Sequence, residues 1–571
     1  MAGQVSPGIV LRERDLTNST IVNTQSNVAA FVGSFAKGPV GVPTSIASER
    51  ELVDTFGKPN NANFEDWYVA STFISYGGQL LVIRVEDTAL KNSVNTGSAV
   101  LIKDVSDFEA NKSTYTWNFA AKSAGTWGNS LVIAYIDGIE AAAGDYDNEV
   151  LYTSGPKWNT IAGKPGTSAA AAAAGGADDE IHIALIDKSG SITGTPNTIL
   201  ETFLFVSKSL LAKNSEGGSN YYVDVINTRS SYIFAATPLA NTGSALSFDY
   251  NIHVESIAAA DDFTGGVDSY TGSTTNIEAA LLKFHDAENV VIDFVLAGGS
   301  LGSQTDTVAK AQKVIEVANY RKDCIAFISP YKNVTATTNS DTQRDNIIAF
   351  FQAVGSSTSY AVFDSGYKYI YDRYNDTYRY IPCNGDVAGL CVQTSANLED
   401  WFSPAGLNRG NLRNVIKLAY TPTKTDRDKL YQKRINPIAS FPGQGVVLFG
   451  DKTALASPSA FDRINVRRLF LAIEKRVLQV SRGVLFELND ATTRSTFFNT
   501  VDSFMTEVKA KAGVTDYLVV CDETNNTADV IDRNEFVAEI YIKPARSINF
   551  ITITFVATRS GASFSEVTGQ V

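Results

Sequence analysis

Histidine is nearly missing: His182, His253 and His285 are the only three in 571 residues. Any chemistry that needs an imidazole as general base must use one of these. Cysteine is equally sparse, with Cys324, Cys383, Cys391 and Cys521 scattered and no C-x-x-C pair. That spacing indicates neither a disulfide framework nor a zinc site and leaves four buried free thiols as the expectation. Positive charge is in deficit, because 48 Lys and Arg against 61 Asp and Glu leave a net charge of -13. Such a surface repels nucleic-acid phosphates, so direct DNA or RNA binding is disfavoured. No run of about 18 apolar residues is present to span a bilayer, and no membrane insertion is expected. The opening MAGQVSPGIVLRERD lacks the basic n-region and unbroken apolar core of a secretory signal, so the chain is expected to be made and kept in a cytoplasm.

What is present is ample core material. Hydrophobic residues at 44% and charged residues at 19% are values of a folded chain rather than a disordered one. A length prior of roughly 100 to 200 residues per domain predicts three to five units. Residues 1–22 read as an arm and 23–95 as the first part of an α/β core. Here a strand over 28–32 is followed by a Gly/Pro turn and a helix starting near Ser48. Ser48 and Glu51 have capping-box spacing, because hydroxyl and carboxylate can each satisfy a free N–H. A second helix over 66–76 stops at Gly77 and Gly78, and QLLVIRV resumes as a strand.

From 96 to 264 the texture changes to short alternating strands such as SLVIAYI and EIHIALI, with helical patterning almost gone. This predicts a β-rich insertion, expected to face outward. Within it, the six alanines of GKPGTSAAAAAAGGADD are flanked by Gly and Pro, which favours a surface loop over a helix. Alternating strands and helices return over 265–455, with near-continuous apolar strands that indicate a parallel sheet covered on both faces. Residues 456–545 carry two long helical patterns. Val466, Leu469, Phe470, Ile473, Val477 and Val480 make one apolar stripe, and Phe497, Val501, Phe504, Met505 and Val508 make another before Gly513. Strands are predicted at YLVVCD and EFVAEIYIKP. In the last segment, 546–571, Ile551, Ile553 and Phe555 alternate with Thr552 and Thr554, the two-residue period of a strand with one apolar face.

The segments that look catalytic are decoys. Gly298-Gly299-Ser300-Leu301-Gly302 is a literal G-x-S-x-G between a strand and a helix. In elbow families the His follows the Ser, and all three histidines here precede Ser300. GTSAA at 166–170 resembles the serine segment of subtilisin-like proteases, yet no histidine precedes Ser168. In GSFAKGPVG, Gly33 and Gly38 have P-loop spacing, but Pro39 stands where the phosphate-holding Lys belongs. For metal, His182 and His253 have no partner at ligand spacing, and Asp178, Asp179 and Glu180 lack the order of a calcium loop, leaving solvated acid as the expectation. No catalytic, cofactor-binding or metal-binding residue is assigned.

Five segments in order resemble the contractile tail sheath proteins of the bacteriophage (myovirus) type. VSPGIVLRE at 5–13 is similar to that family's S-P-G-V-Y-x-x-E opening, and AAFVGSFAKGPVGVP, SERELVDTFG and FISYGGQLLVIRV follow it. SAGTWGNSLVI at 123–133 resembles the G-x-W-G-N segment, and INPIASFPGQGVVLFGDKT at 435–453 is a further landmark. The last is the run FDRINVRRLFLAIEKRV, FELND, YLVVCDETNN and DVIDRNEFVAEIYIKPARSINFI. There are departures. Pro382-Cys383-Asn384-Gly385 stands where P-P-S-G is common, and Gln393-Thr394-Ser395 where R-T-D is, both read as loop positions.

The resemblance implies an α/β and α+β multidomain fold: a subtilisin-like α/β middle domain without a catalytic triad, the β-rich insertion, and an α+β C-terminal domain with exchanged terminal strands. It implies hexameric rings stacked helically around a tail tube protein, with baseplate and tail terminator proteins as further partners. Such a sheath contracts to drive the tube through the host envelope. The chain would be a virion component assembled in the host cytoplasm, and no enzyme. Arm residues Pro7, Gly8, Ile9, Val10 and Leu11, with Ile548, Phe550, Ile551, Ile553 and Phe555, would add strands to neighbouring copies. Arg468, Lys475 and Arg482 recur every seven residues and form one basic stripe, which with Arg494 is a candidate tube contact; a solvated face or pairing with a neighbouring sheath subunit fits as well. Arg494 shares the second helix with Lys509 and Lys511, weaker candidates for the same contact. Two alternatives remain open, a serine hydrolase using Ser300 and the sheath of a bacteriocin or secretion-type injector.

Overall fold

The computed structural model of the chain describes residues 27–138, 146–152, 155–236 and 261–547. The arm residues Pro7, Gly8, Ile9, Val10, Leu11, Ile548, Phe550, Ile551, Ile553 and Phe555 lie outside this set, as does His253. Two compact units divide the described residues, one comprising 27–398 with Pro404–Ile464, the other Glu399–Ser403 with 465–547.

The larger unit is organised by strands β1 (Val28–Gly33), β2 (Thr44–Ile46) and β3 (Gln79–Arg84), then an inserted region, then β10 (Phe294–Leu296), β11 (Ile325–Ile328), β12 (Ala361–Asp364) and β16 (Ile435–Asn436). They form one sheet in the order β16-β12-β11-β10-β1-β3-β2. Every neighbouring pair is parallel except β2, which runs antiparallel to β3. The strands are apolar on both sides because both faces are covered. Ala30, Val32, Val295 and Ala326 share a core with the helices Thr274–Leu282, Gln304–Arg321 and Ser340–Val354. Phe294, pointing the other way, meets Phe73 of the helix Phe64–Ser75.

The Ser48 cap is present, but it is not a closed box. Ser48 Oγ accepts from Glu51 N at 3.2 Å, whereas Glu51 Oε2 reaches past the cap to Ala47 N at 2.9 Å. The helix Asn384–Asn397 is a larger departure from expectation, since the sequence places its first residues in a loop. Residues 384–392 are buried without a break, so no amphipathic stripe marks the segment. Gly385 and Gly389 let it close on the helix Phe64–Ser75: a Cβ on the first would sit 2.6 Å from Val69 O, and on the second 2.4 Å from the Tyr76 ring.

The inserted region holds β4 (Phe119–Ala121), β5 (Leu131–Asp137), β6 (Glu180–Asp187), β7 (Thr198–Ser207), β8 (Ile233–Ala235) and β9 (Asp261–Asp262). β4 pairs with β8, and β7-β6-β5-β9 make an antiparallel four-stranded sheet. Helices are not absent: Val105–Asn111, Ala169–Ala173 and Tyr222–Arg229 lie between the strands. The alanine run therefore corrects its loop reading, because Ser168 Oγ caps Ala171 N at 3.1 Å. Asp179 is likewise not solvated acid. It is fully buried, accepting from Ser168 N at 2.7 Å and from Ser207 Oγ at 2.6 Å.

Beyond the parallel sheet, β13 (Tyr367–Asp372), β14 (Thr377–Pro382) and β15 (Lys417–Leu418) form a three-stranded sheet in the order β14-β13-β15. β17 (Ile438–Phe441) and β18 (Gly445–Leu448) form a hairpin. The smaller unit contains the body of the helix Ile464–Arg482, the helix Ala491–Ala510, β19 (Val514–Val520), the short helix Ala528–Asp532 and β20 (Glu539–Pro544). Leu469, Ile473, Phe497, Val501, Phe504 and Met505 pack with Trp401, Val514 and Val519 into its core.

Candidate functional site

In an open α/β sheet, ligands enter where the strand order reverses, at the carboxyl ends of the strands. Here that point lies between β1 and β10, since the chain passes from β1 to β3 on one side and later returns to β10 on the other. Ser300 sits there. The crevice is filled by the first turn of the helix Phe64–Ser75. Asp66 accepts from Ser34 N at 3.3 Å and Gly299 N at 2.8 Å, and Glu65 accepts from Ser300 N at 2.7 Å. Lys310 Nζ stands 3.5 Å from Asp66 and donates to Gly299 O at 3.1 Å. Burial pushes the Glu65 carboxyl up to about 7, although the Ser300 N–H and the lysines pull the other way.

Ser300 Oγ is 2.7 Å from the Tyr367 hydroxyl and accepts from Lys332 N at 3.0 Å. A nucleophile needs a base in that position and a substrate beside it. The neighbour is a fully buried phenol whose pKa burial drives well upward. The cavity lined by Gly298, Gly299, Ser300, Lys310 and Ser329 has a volume of about 10 Å³, room for one water. The described histidines are engaged elsewhere. His182 Nε2 is 2.8 Å from Gly163 O while Nδ1 accepts from Phe205 N at 3.0 Å, and the His285 ring stacks on Tyr320. Behind the crevice, Asn384 donates to Gly298 O and to Ser329 Oγ, and Ser329 donates to the buried Asp364 at 2.8 Å. Lys368 and Asp386 pair at 2.8 Å with both side chains out of solvent. Polar side chains converge here, yet they are spent on holding loops.

The smaller unit presents the opposite arrangement, an open surface. β19 and β20 pair antiparallel, with Tyr517 opposite Ile542 and Leu518 opposite Tyr541. Val519, Ile540 and Ile542 turn toward the helices, while Leu518 and Tyr541 are 57% and 56% exposed. Among the described residues the sheet has these two strands alone, so each strand keeps one edge without a partner strand. A two-stranded sheet is marginal by itself, and an open edge is a template for another strand. Beside β19 lies a cavity of about 540 Å³ lined in part by Arg494, Phe498, Val519 and Cys521.

Two of the candidate tube-contact residues, Arg468 of the basic stripe and Arg494 of the second helix, are not at the surface. Arg468 is buried, and its Nη2 lies 2.9 Å from Asp400. Arg494 is buried too, donating to Asn489 Oδ1 at 2.9 Å. Seven-residue spacing does align Arg468, Lys475 and Arg482, but the segment Glu399–Ser403 covers the first of them. Lys475 is half-buried and Arg482 exposed. The weaker candidates Lys509 and Lys511 are ion-paired, to Asp516 and to Glu399 with Glu507. The thiols agree with expectation: all four cysteines are free and buried. No helix among the described residues is long and apolar enough to cross a membrane.

A filled crevice and an open terminal sheet define a class of chain whose exposed chemistry is backbone pairing. Comparison with known proteins gives the family. Residues 271–454 match the phage tail sheath protein central domain, and residues 456–558 match the phage tail sheath C-terminal domain. The tail sheath protein of Enterobacteria phage T4 is 32% identical over 99% of this chain and 99% of its own length. That of Vibrio phage KVP40 is 32% identical over 99% of this chain and its whole length. In fold, the chain is similar to a sheath tail protein from Listeria innocua, with a TM-score of 0.53 at 10% identity over 92% of this chain and 93% of that one. The chain belongs to the phage tail sheath protein family.

Proposed function

We propose that this chain is the force-generating subunit of a contractile phage tail sheath. Copies form six-membered rings that stack helically around a tail tube protein, between a baseplate and a tail terminator. The observation that carries this reading is the β19–β20 sheet, open at both edges among the described residues and followed by a segment with strand periodicity. Terminal residues Pro7 to Leu11 of one neighbour and Ile548 to Phe555 of another add strands to these edges. Extended at about 3.3 Å per residue, the stretch after Ala545 spans roughly 80 Å, enough to reach another copy. Ile551, Ile553 and Phe555 offer one apolar face to the recipient core.

Strand-linked copies can rotate and slide as rigid bodies while the mesh stays continuous. Contraction then needs no bound fuel, because the difference in contact free energy between long and short states is stored at assembly. The middle domain is read as a subtilisin-like α/β scaffold without enzymatic activity, its crevice filled by Glu65 and Asp66. Lys475 and Arg482 remain the candidates for a screened, breakable grip on the tube. Assembly in the host cytoplasm and residence in the virion complete the reading.

Electron microscopy of the purified full chain is the test. Long striated tubes are expected. Strict monomers at every concentration tried would overturn the proposal.

A further inference from the structure

Lysine and aspartate rarely leave solvent unless they are paired. Strand alternation turns Lys368 of β13 inward with Ile370 and Asp372. It meets Asp386, in the first turn of the helix Asn384–Asn397, with Nζ 2.8 Å from Oδ1 and side chains 1% and 0% exposed. The Tyr76 hydroxyl donates to the same oxygen at 3.0 Å. Arg413 holds both neighbours in place: its N–H donates to the Tyr76 hydroxyl at 2.8 Å, and its carbonyl accepts from Lys368 Nζ at 2.9 Å. Because Tyr76 accepts from Arg413, its own proton is left to point at Asp386. Among the described residues, nothing hydrogen-bonds the other oxygen of Asp386, the buried Oδ2.

An ionised carboxylate with one bare oxygen is costly in a dry site, and a buried ion pair is stable only when its remaining lone pairs are satisfied. Burial accordingly pushes the Asp386 carboxyl upward, against the pull of Lys368 and Tyr76. Burial, with a contribution from Asp386, also pushes Asp364 up to about 7, so charge on either acid disfavours charge on the other. Proton transfer along the Nζ–Oδ1 contact turns the ion pair into a neutral amine beside a carboxylic acid, with no charge left to solvate. Those are the two halves of an amide. A nitrogen at hydrogen-bond distance from Oδ1 lies no farther than about 4 Å from the carboxyl carbon. Reacting groups fixed at such range gain orders of magnitude in effective concentration.

We propose that Lys368 and Asp386 join in an intramolecular isopeptide bond. The Nζ lone pair attacks Cγ of Asp386 while the Tyr76 hydroxyl polarises the carbonyl through Oδ1. The C–N bond forms and the bond from Cγ to Oδ2 breaks; the acid's proton and one from Nζ go to Oδ2, which leaves as water. Ion pair and product contain the same atoms, so no oxidant, fuel or cofactor enters. With the pair closed to solvent, hydrolysis lacks its water. The link fastens the three-stranded sheet to the helix Asn384–Asn397, a covalent brace in a subunit that transmits force.

The intact mass of the purified full chain, measured after denaturation, tests it. The chain is expected to be lighter than its sequence by one water molecule. Trypsin is expected to leave Lys368 uncut and to release residues 345–373 joined to residues 380–409 as one branched peptide. A full sequence mass, with residues 345–368 and 380–409 recovered as separate peptides, would overturn the bond. Lys368→Met removes the amine and is expected to restore the full mass; a missing water that persists in this variant would place the dehydration elsewhere and overturn the assignment. In timed cell-free synthesis, Tyr76→Phe is expected to slow the appearance of the branched peptide at least about tenfold. An unchanged rate would contradict the polarising role of the hydroxyl.

Discussion

Arg468 Nη2 and Asp400 Oδ1 lie 2.9 Å apart with side chains only 3% and 12% exposed. The pair ties the helix Ile464–Arg482 to the segment Glu399–Ser403, whose Trp401 donates to Lys511 O at 3.0 Å. Removing Asp400 takes this charge-assisted hydrogen bond from a guanidinium that stays buried. Asp400→Ala is expected to destabilise the smaller unit by about 3 kcal/mol. Hydrogen exchange followed through urea would show the core of 465–547 opening first while the parallel sheet of the larger unit keeps its protection.

Buried acids make stability depend on pH in an unusual direction. Burial pushes the Asp364 carboxyl up to about 7, against the hydrogen bonds it accepts from Gly366 N and Ser329, and Glu65 also stands at about 7. A carboxyl whose folded value lies above its unfolded one binds more protons when native. Its favourable contribution is complete below about pH 4 and is lost as pH rises toward 7. Asp364→Asn keeps an oxygen acceptor without the charge. The variant is expected to gain on the wild type between pH 5 and 8, by about 3 kcal/mol at most, in denaturant titrations at the two pH values.

Ser300 is held as a structural hydroxyl. A fluorophosphonate probe is expected to leave the folded protein unlabelled, since the Oγ partners are Tyr367 and Lys332 N. Ser300→Ala should cost about 1 kcal/mol in thermal or denaturant unfolding through the lost hydrogen bonds. Stoichiometric labelling at Ser300 would restore the hydrolase reading.

The parts of the fold that could be read in the sequence are those where one physical rule acts alone. Ser340–Val354 and Gln304–Arg321 have polar caps and one buried stripe, and both fall in the stretch 265–455 where the sequence alternates strands with helices. The two stripes of the last helices also resolve as written, through Leu469 and Ile473 and through Phe497 to Val508. Legibility ends where tertiary contacts decide. The sequence points to Gly513 as a helix stop, but the left-handed residue is Ala512 at φ 60°, and Gly513 is small because a Cβ would lie 2.7 Å from Val508 Cγ1 and 3.0 Å from the Trp401 ring. Spacing put Arg468 on a face without saying what covers it. Glu65 and Asp66 give no signal as crevice fillers, because the crevice N–H groups they accept from, at Gly299 and Ser300, lie more than 200 residues away in the chain.

Removing residues 547–571 separates folding from assembly. The truncated chain is expected to keep the circular dichroism and unfolding transition of the larger unit, whose parallel sheet is built entirely from 28–436. It is expected to form no tubes. Intact tubes from the truncation would reject the arms as linkers.

Amide hydrogen exchange along β19 and β20 bears most directly on strand addition. Among the described residues, alternate N–H groups of Val514–Val520 and Glu539–Pro544 face an open edge, and in the dispersed chain they are expected to exchange quickly. In the polymer the same amides are expected to slow by about a hundredfold or more, as residues 1–22 and 548–571 of neighbouring copies pair with them. Unchanged exchange at both edges in well-formed tubes would contradict the account.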